Sequence, residues 1–203
     1  LSLVHTQVIN ASLFNTAIPA IIILLCFLFQ IEQTNKYQIV GLVISVLGIL
    51  SIITRLNLEI IRSLNFNKGD LIMIGGVISW GLYSAFLKRK KFDLPLLTLV
   101  HVLCTFGLIF IFPQFMYEFV QGQKIEFNRN LFYILIFLAL FPSIGSYYCW
   151  AGAVSIIGAN RAGIFLSLIP LFSTLMAIFF YNEQFQFFHL IGAILIILGL
   201  FLS

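Results

Sequence analysis

Charged residues are scarce in this sequence. Asp, Glu, Lys and Arg make up 9% of it, whereas hydrophobic residues make up 61%, and the mean hydropathy is +1.09. A soluble domain has about a quarter of its residues charged. The shortage therefore excludes a soluble globular protein and indicates a chain that lies in a lipid bilayer.

The residue groupings that enzymes and metal sites need are also missing from the sequence. Cys26, Cys104 and Cys149 lie inside apolar runs without Cys-x-x-Cys spacing, which excludes a disulfide framework and a metal cluster. No paired carboxylates and no nucleophile with its base are found, so we predict that the protein is not an enzyme and needs no metal or cofactor. No Asp or Glu falls inside an apolar run, which removes the usual proton relay of membrane carboxylates.

The apolar residues that are present form seven runs, each close to the 20 residues that a helix needs to cross about 30 Å of hydrocarbon. Backbone groups find no water in lipid, so each run is predicted to be helical. The predicted fold class is an all-α polytopic membrane protein. We place the spans at residues 11–29, 37–53, 71–87, 94–116, 131–150, 163–181 and 187–202.

The chain contains a repeat of its own early segment. Residues 8–52 match residues 159–203 without a gap, at an offset of 151. The matched pairs include Ala11/Ala162, Phe14/Phe165, Pro19/Pro170, Glu32/Glu183, Gly41/Gly192 and Gly48/Gly199. Each matched span lies five spans further along the chain than its partner, an odd number, so the matched helices are predicted to cross the membrane in opposite directions. Such inverted repeats are typical of secondary transporters.

The repeat also divides the chain. Residues 69–203 form a unit of five spans, residues 1–54 match its last two spans, and residues 55–68 connect them. The offset puts the start of the earlier unit about 80 residues before Leu1, which leaves room for three more helices. We therefore expect ten spans in the intact protein, seven of them visible here, as two inverted five-helix repeats. A natural seven-span protein is the alternative.

The positive charges lie at span ends and in loops. The net charge of +4 therefore does not indicate nucleic-acid binding. The densest basic run, residues 88–91, occupies a short turn that the positive-inside rule places in the cytoplasm. We predict a bacterial-type inner-membrane protein with a cytoplasmic carboxyl terminus.

Several motifs resemble the EamA-type drug/metabolite transporter superfamily. They are residues 69–71 (GDL), 79–84 (SWGLYS), 158–162 (GANRA), 168–172 (LIPLF), and Asn182-Glu183 followed by residues 190–193 (LIGA). The resemblance covers essentially the whole chain. It implies ten helices in two inverted repeats and a central cavity lined by both halves, and it leaves the substrate open among amino acids, nucleotide-like metabolites, sugars and drugs. The sequence departs from the family pattern at Ile31 and Asn182, where Gly usually precedes the Glu, and at Pro142-Ser143.

Polar and aromatic side chains within spans are the candidates for substrate contact, because such groups avoid lipid and face the bundle interior. Trp80 with Tyr83, and Tyr147 with Trp150, are spaced by three residues and so share a helix face. For Trp150 an interfacial anchor is an equal alternative. His101 is predicted to be a neutral, hydrogen-bonded group rather than a proton carrier. The candidates are Asn10, Asn15, Trp80, Tyr83, His101, Ser146, Tyr147, Trp150 and Ser167.

Three further pairs of matched residues have predicted structural roles. Pro19 and Pro170 lack the amide donor that a helix interior needs, so they are predicted kinks and helix hinges. Gly41 and Gly48, with Gly192 and Gly199, form a smooth face for close helix packing, within the protomer or across a homodimer. Glu32 and Glu183 lie in the connection after the first matched span, just before the next helix begins, and are predicted to cap that helix.

These observations predict an integral membrane permease that moves a small organic metabolite or drug-like solute by alternating access. Its expected partners are the lipid bilayer and the small-molecule substrate, without nucleic acid. The alternative is a non-transporting membrane scaffold or assembly protein, or an inactive truncated remnant of a transporter.

Overall fold

The computed structural model describes residues 8–57, 59, 67–89, 94–122, 127–181 and 184–203. Within these ranges the regular secondary structure is entirely helical, which confirms the predicted all-α fold class. The helices are α1 (Val8–Thr16), α2 (Ile18–Leu28), α3 (Lys36–Ile53), α4 (Lys68–Lys88), α5 (Leu96–Val120), α6 (Arg129–Leu138), α7 (Ser146–Ile157), α8 (Ala159–Phe165), α9 (Leu168–Tyr181) and α10 (Phe187–Leu202). A π-helical segment, Ala139–Gly145, joins α6 to α7.

In the part of the chain that the structure describes, five helical stretches are long and apolar enough to cross a membrane: Lys36–Thr54, Lys68–Lys88, Leu96–Val120, Arg129–Ile157 and Ala159–Tyr181. Ile18–Leu28 and Phe187–Leu202 are apolar but shorter. Every predicted span thus contains an apolar helix, while the count of seven spans and of two repeats stays a prediction.

Asparagine side chains start several of the helices. The Asn35 side chain accepts a hydrogen bond from the Tyr37 amide, and the Gln38 side-chain oxygen accepts one from the Asn35 amide. Asn67 and Asp70 form the same reciprocal capping box at α4. These side chains satisfy amides that the first turn of a helix leaves without a partner.

The chain divides into two compact units. One contains Leu1–Arg89 with Ile157–Ser203, and the other contains Lys90–Ile156. In the second unit, Pro142 lies in the π-helical segment, where the Ser146 hydroxyl donates to the Phe141 carbonyl at 3.1 Å. A proline cannot donate to the preceding turn, so widening the helix here is a physical consequence of Pro142.

The tightest helix pair of the first unit joins α3 to α10. A Cβ on Gly48 would lie 2.8 Å from the Gly192 carbonyl oxygen, and a Cβ on Gly41 would collide with the Gly199 carbonyl. Because Gly41 meets Gly199 while Gly48 meets Gly192, the two helices run antiparallel. The predicted glycine face therefore meets its own repeat copy within one chain. Close backbone approach of this kind gives van der Waals contact that lipid cannot supply.

Candidate functional site: a cavity between two broken helices

Both copies of the first matched span are interrupted near their middle. The first breaks at Ala17, between α1 and α2, and the second at residues 166–167, between α8 and α9. The amides at the breaks bond three residues back rather than four, Ala17 to the Phe14 carbonyl and Ser167 to the Ile164 carbonyl, each at 3.0 Å.

The cause of both breaks is the proline that follows. Pro19 and Pro170 lack the amide that would bond the carbonyl four residues earlier, and each ring crowds that carbonyl. The structure thus places an irregular turn just before each predicted hinge proline. Whether the prolines act as hinges is a matter of function and stays a prediction.

A cavity of about 420 Å³ lies at the two breaks, inside the first compact unit. This volume is in the range of small-molecule binding sites. Its wall is formed by Ser12, Asn15, Thr16, Ile18, Pro19, Ile49, Ile52, Ile53, Trp80, Leu166, Ser167, Ile169, Pro170, Ser173 and Thr174. All of these lining side chains are uncharged, and six of them carry a hydroxyl or amide group.

Ser167 is the most confined polar group of the cavity wall. Its side chain is 1% exposed, and the hydroxyl oxygen has no hydrogen-bond partner among the residues that the structure describes. The matched residue, Thr16, instead donates to the Leu13 carbonyl at 2.7 Å. A buried hydroxyl without a partner costs free energy, which a ligand that bonds it recovers.

Of the predicted substrate contacts, Asn15, Trp80 and Ser167 line this cavity. The Tyr83 ring packs against the Trp80 indole, with ring centroids 5.5 Å apart, as the three-residue spacing predicts. Asn10 lies in α1, but its side chain falls outside the described residues.

The remaining candidates belong to the second compact unit. His101 and Ser146 are exposed there, whereas Tyr147 and Trp150 are half-buried. His101 is therefore not enclosed by the residues of its own unit, and its predicted neutral, hydrogen-bonded state stays a prediction. Their contact with a substrate stays a prediction.

Sequence reasoning missed Ser12, Thr16 and the isoleucines of the cavity wall. The repeat itself contains a signal that finds Thr16, because the offset of 151 carries the candidate Ser167 onto it. Ile49, Ile52 and Ile53 give no such signal, since an isoleucine in a membrane span is equally suited to lipid and to a cavity wall.

Glu32 caps a helix, but not the one that we expected. The helix that follows it, α3, is capped by Asn35. Instead, the two Glu32 carboxylate oxygens accept hydrogen bonds from the backbone amides of Ala159 and Asn160, at 2.9 and 3.0 Å, at the start of α8. The contact joins the two repeat copies. Glu183 lies outside the described residues.

Gly158 makes room for this carboxylate. Its φ of +90° is a conformation that L side chains rarely adopt, and a Cβ there would lie 2.5 Å from Glu32 Oε1. Beside it, the Asn160 side chain is 1% exposed and donates through Nδ2 to the Thr34 hydroxyl at 3.4 Å.

Comparison with known families identifies the chain. The model of the EamA-like transporter family matches residues 67–203. The chain belongs to the EamA-like transporter family. It is thus a multi-pass integral membrane protein, while the type of membrane and the side of its carboxyl terminus stay predictions.

Two related proteins match nearly the whole chain. An uncharacterized transporter, YyaM of Bacillus subtilis (strain 168), is 26% identical over 196 residues, which are 96% of this chain and 64% of YyaM. An uncharacterized transporter of Archaeoglobus fulgidus is 28% identical over 206 residues, 100% of this chain and 69% of the relative. The chain thus spans about two thirds of the length of these relatives.

A solved structure has a similar fold. A crystal structure of a protein superposes with a TM-score of 0.80 at 16% identity, over 99% of this chain and 70% of its own. At this level of identity the likeness concerns the fold alone.

Proposed function

We propose that this protein is a permease in which the cavity between the broken helices holds a small organic solute, and that transport proceeds by alternating access. The observation that carries the proposal is that both repeat copies contribute to the cavity wall. Pro19 of the first copy and Pro170 of the second are matched residues, and both line the cavity. Broken helices of two inverted repeats that meet at a central site are typical of secondary transporters.

The wall chemistry favours solutes without net charge. A charged solute in this site would be removed from water without an opposite charge among the lining side chains, which is costly at membrane depth. A neutral solute can instead bond the Ser167 hydroxyl and pack its apolar part on Trp80 and the isoleucines. Aromatic side chains with a polar edge are suited to such mixed contacts.

Uptake or efflux by vesicles that contain the full-length protein tests this function, with a panel of radiolabelled neutral and charged metabolites. A solute that is moved by the wild type should bind less tightly to Ser167→Ala, by about tenfold for a lost hydrogen bond of about 1.4 kcal/mol. Trp80→Ala should weaken binding further, because it removes a large contact area.

The matched control is Ser155→Ala. The Ser155 side chain is exposed in the other compact unit, and its hydroxyl donates to the Gly152 carbonyl of its own helix. Flux should equal the wild type in this variant. Absence of flux for every solute in the wild type would favour the non-transporting scaffold or remnant instead.

A further inference from the structure

Two layers of contacts lie on one side of the cavity. We call the residues 32–35 and 158–160 the Glu32 end. Along α2 and α8, Ile22, Cys26 and Ile164 lie between this end and the residues that line the cavity, and each of the three is 0% exposed. Ile22 packs on Gly163, whose Cβ position would lie 3.2 Å from the Ile22 Cδ1 atom. The Glu32 carboxylate then bonds α8 at the surface of this apolar layer.

The repeat relates this closed region to the cavity wall. The offset of 151 carries Ile22 onto Ser173 and Ser12 onto Gly163. Ile22 and Gly163 are in contact and buried. Their matches, Ser173 and Ser12, both line the cavity, and Ser173 is exposed. One matched pair, Ile22 with Gly163, is thus packed, whereas the other pair, Ser173 with Ser12, lines the cavity.

We propose that Glu32 is a latch that holds the Ile22–Gly163 contact closed, and that Ser12 and Ser173 form the counterpart contact when the latch releases. The proposal rests on alternating access as the proposed function. It adds the residues of each gate, and it assigns this structure to the state that is closed at the Glu32 end.

The inverted repeat supplies the reason. When two repeat copies exchange conformations, a contact that one copy makes with the other at one end is lost, and the matched contact forms at the opposite end. The Ile22–Gly163 contact then opens while Ser12 approaches Ser173. Gly163 and Ser12 are small, so at either end two helices can come close.

The latch sets how often this exchange occurs. A carboxylate that accepts hydrogen bonds from two backbone amides makes stronger bonds than a neutral acceptor does. Both bonds join residues more than 120 positions apart, in different repeat copies, so they break when the copies separate. Loss of the Glu32 carboxylate therefore raises the share of molecules that are open at the Glu32 end.

Cross-linking measures this share. The parent carries Cys26→Ala, Cys104→Ala and Cys149→Ala with Ser12→Cys and Ser173→Cys, in the full-length protein in proteoliposomes. Copper-phenanthroline oxidises the two thiols to a disulfide only when their Cα atoms come within about 7 Å. We expect Glu32→Ala to raise the initial rate of cross-linking at least fivefold over the parent, and Glu32→Gln, which keeps one acceptor oxygen, to raise it less.

Two further variants make the test decisive. Gly158→Ala keeps the Glu32 side chain but adds a methyl group 2.5 Å from the present position of Glu32 Oε1, so it should displace the carboxylate and also raise the rate. Glu118→Ala is the control, since this carboxylate accepts only from Gln114 of its own helix among the contacts described here. Its rate should equal that of the parent.

The outcomes separate the latch from a simple helix cap and from the proposed function. If Glu32→Ala or Glu32→Gln is less heat-stable but cross-links at the parent rate, Glu32 is a cap and the latch is overturned. If no variant forms the disulfide although the protein moves a solute, the Ser12–Ser173 contact is wrong. A wild type without flux for any solute refutes the permease, whereas a latch that fails leaves wild-type flux intact.

Discussion

Residues 8–28 and 159–181 are repeat copies that break at equivalent places, yet beyond the breaks they meet different surroundings. Ile22 is fully buried, whereas its match, Ser173, is exposed and lines the cavity. Gly163 is buried against Ile22, whereas its match, Ser12, lines the cavity. The two matched segments thus pack tightly at one pair of these positions, Ile22 with Gly163, and line the cavity at the other pair, Ser12 with Ser173.

The side chains at the two ends contribute unequally to packing. Full burial of an isoleucine contributes about 1.5–3 kcal/mol, whereas a serine in the matched position contributes little through apolar contact. Glu32 adds two hydrogen bonds at the Glu32 end. Under the proposed alternating access, these contacts favour the state that is closed at the Glu32 end.

Substitution at the two matched positions tests this difference most strongly. Ile22→Ala should lower the free energy of unfolding by about 2–5 kcal/mol, because it leaves a cavity in a packed apolar layer. Ser173→Ala should change it by less than about 0.5 kcal/mol, because the side chain is exposed. Unfolding by sodium dodecyl sulfate in mixed micelles gives both values. Equal losses in the two variants would show that the two ends are packed alike.

The glycine crossing of α3 and α10 differs from these two positions, because there the matched residues of the two copies make the same contact. Gly48→Ala should destabilise the protein by about 1–3 kcal/mol, because the added Cβ would lie 2.8 Å from a backbone oxygen of Gly192 and the helices must separate. The same unfolding assay measures the loss.

Gly76→Ala is the matched control for the crossing. Among the residues that the structure describes, no atom lies within 4 Å of the Cβ that this variant would add in α4, so only the helix propensity is expected to change. This variant should be more stable by about 0.5–1 kcal/mol. A loss of stability of similar size in both variants would mean that glycine at the crossing is needed for its backbone conformation rather than for the close packing of α3 on α10.

Much of this architecture follows from the sequence because it depends on local or repeated features. The apolar runs give the helices, Pro19 and Pro170 give the breaks, and the repeated glycines give the face of the α3–α10 pair. Each of these features acts through its own helix or through a matched copy, so the offset of 151 is enough to find it.

Contacts that depend on packing at a distance were not predictable in this way. The sequence places Glu32 next to Asn35, and both residue types cap helices, but only the fold shows that Asn35 takes the nearby helix and leaves Glu32 for α8. The positive φ of Gly158, which makes room for the carboxylate, likewise follows from the tertiary contact. The repeat alone assigns the same role to both members of a matched pair, so it does not predict that Ile22 is buried while Ser173 is exposed.

A difference in the sign of the effect is expected at one further matched pair, Thr16 and Ser167. Thr16→Ala removes a hydrogen bond to the Leu13 carbonyl and should cost about 0.5–1.5 kcal/mol of stability. Ser167→Ala removes a buried hydroxyl that has no partner among the described residues, so stability should stay equal or rise by about 1 kcal/mol, while solute binding weakens. Parallel unfolding and flux measurements on both variants test this. If Ser167→Ala costs as much stability as Thr16→Ala, the hydroxyl is already satisfied without a solute, and the difference between the copies at the cavity wall disappears.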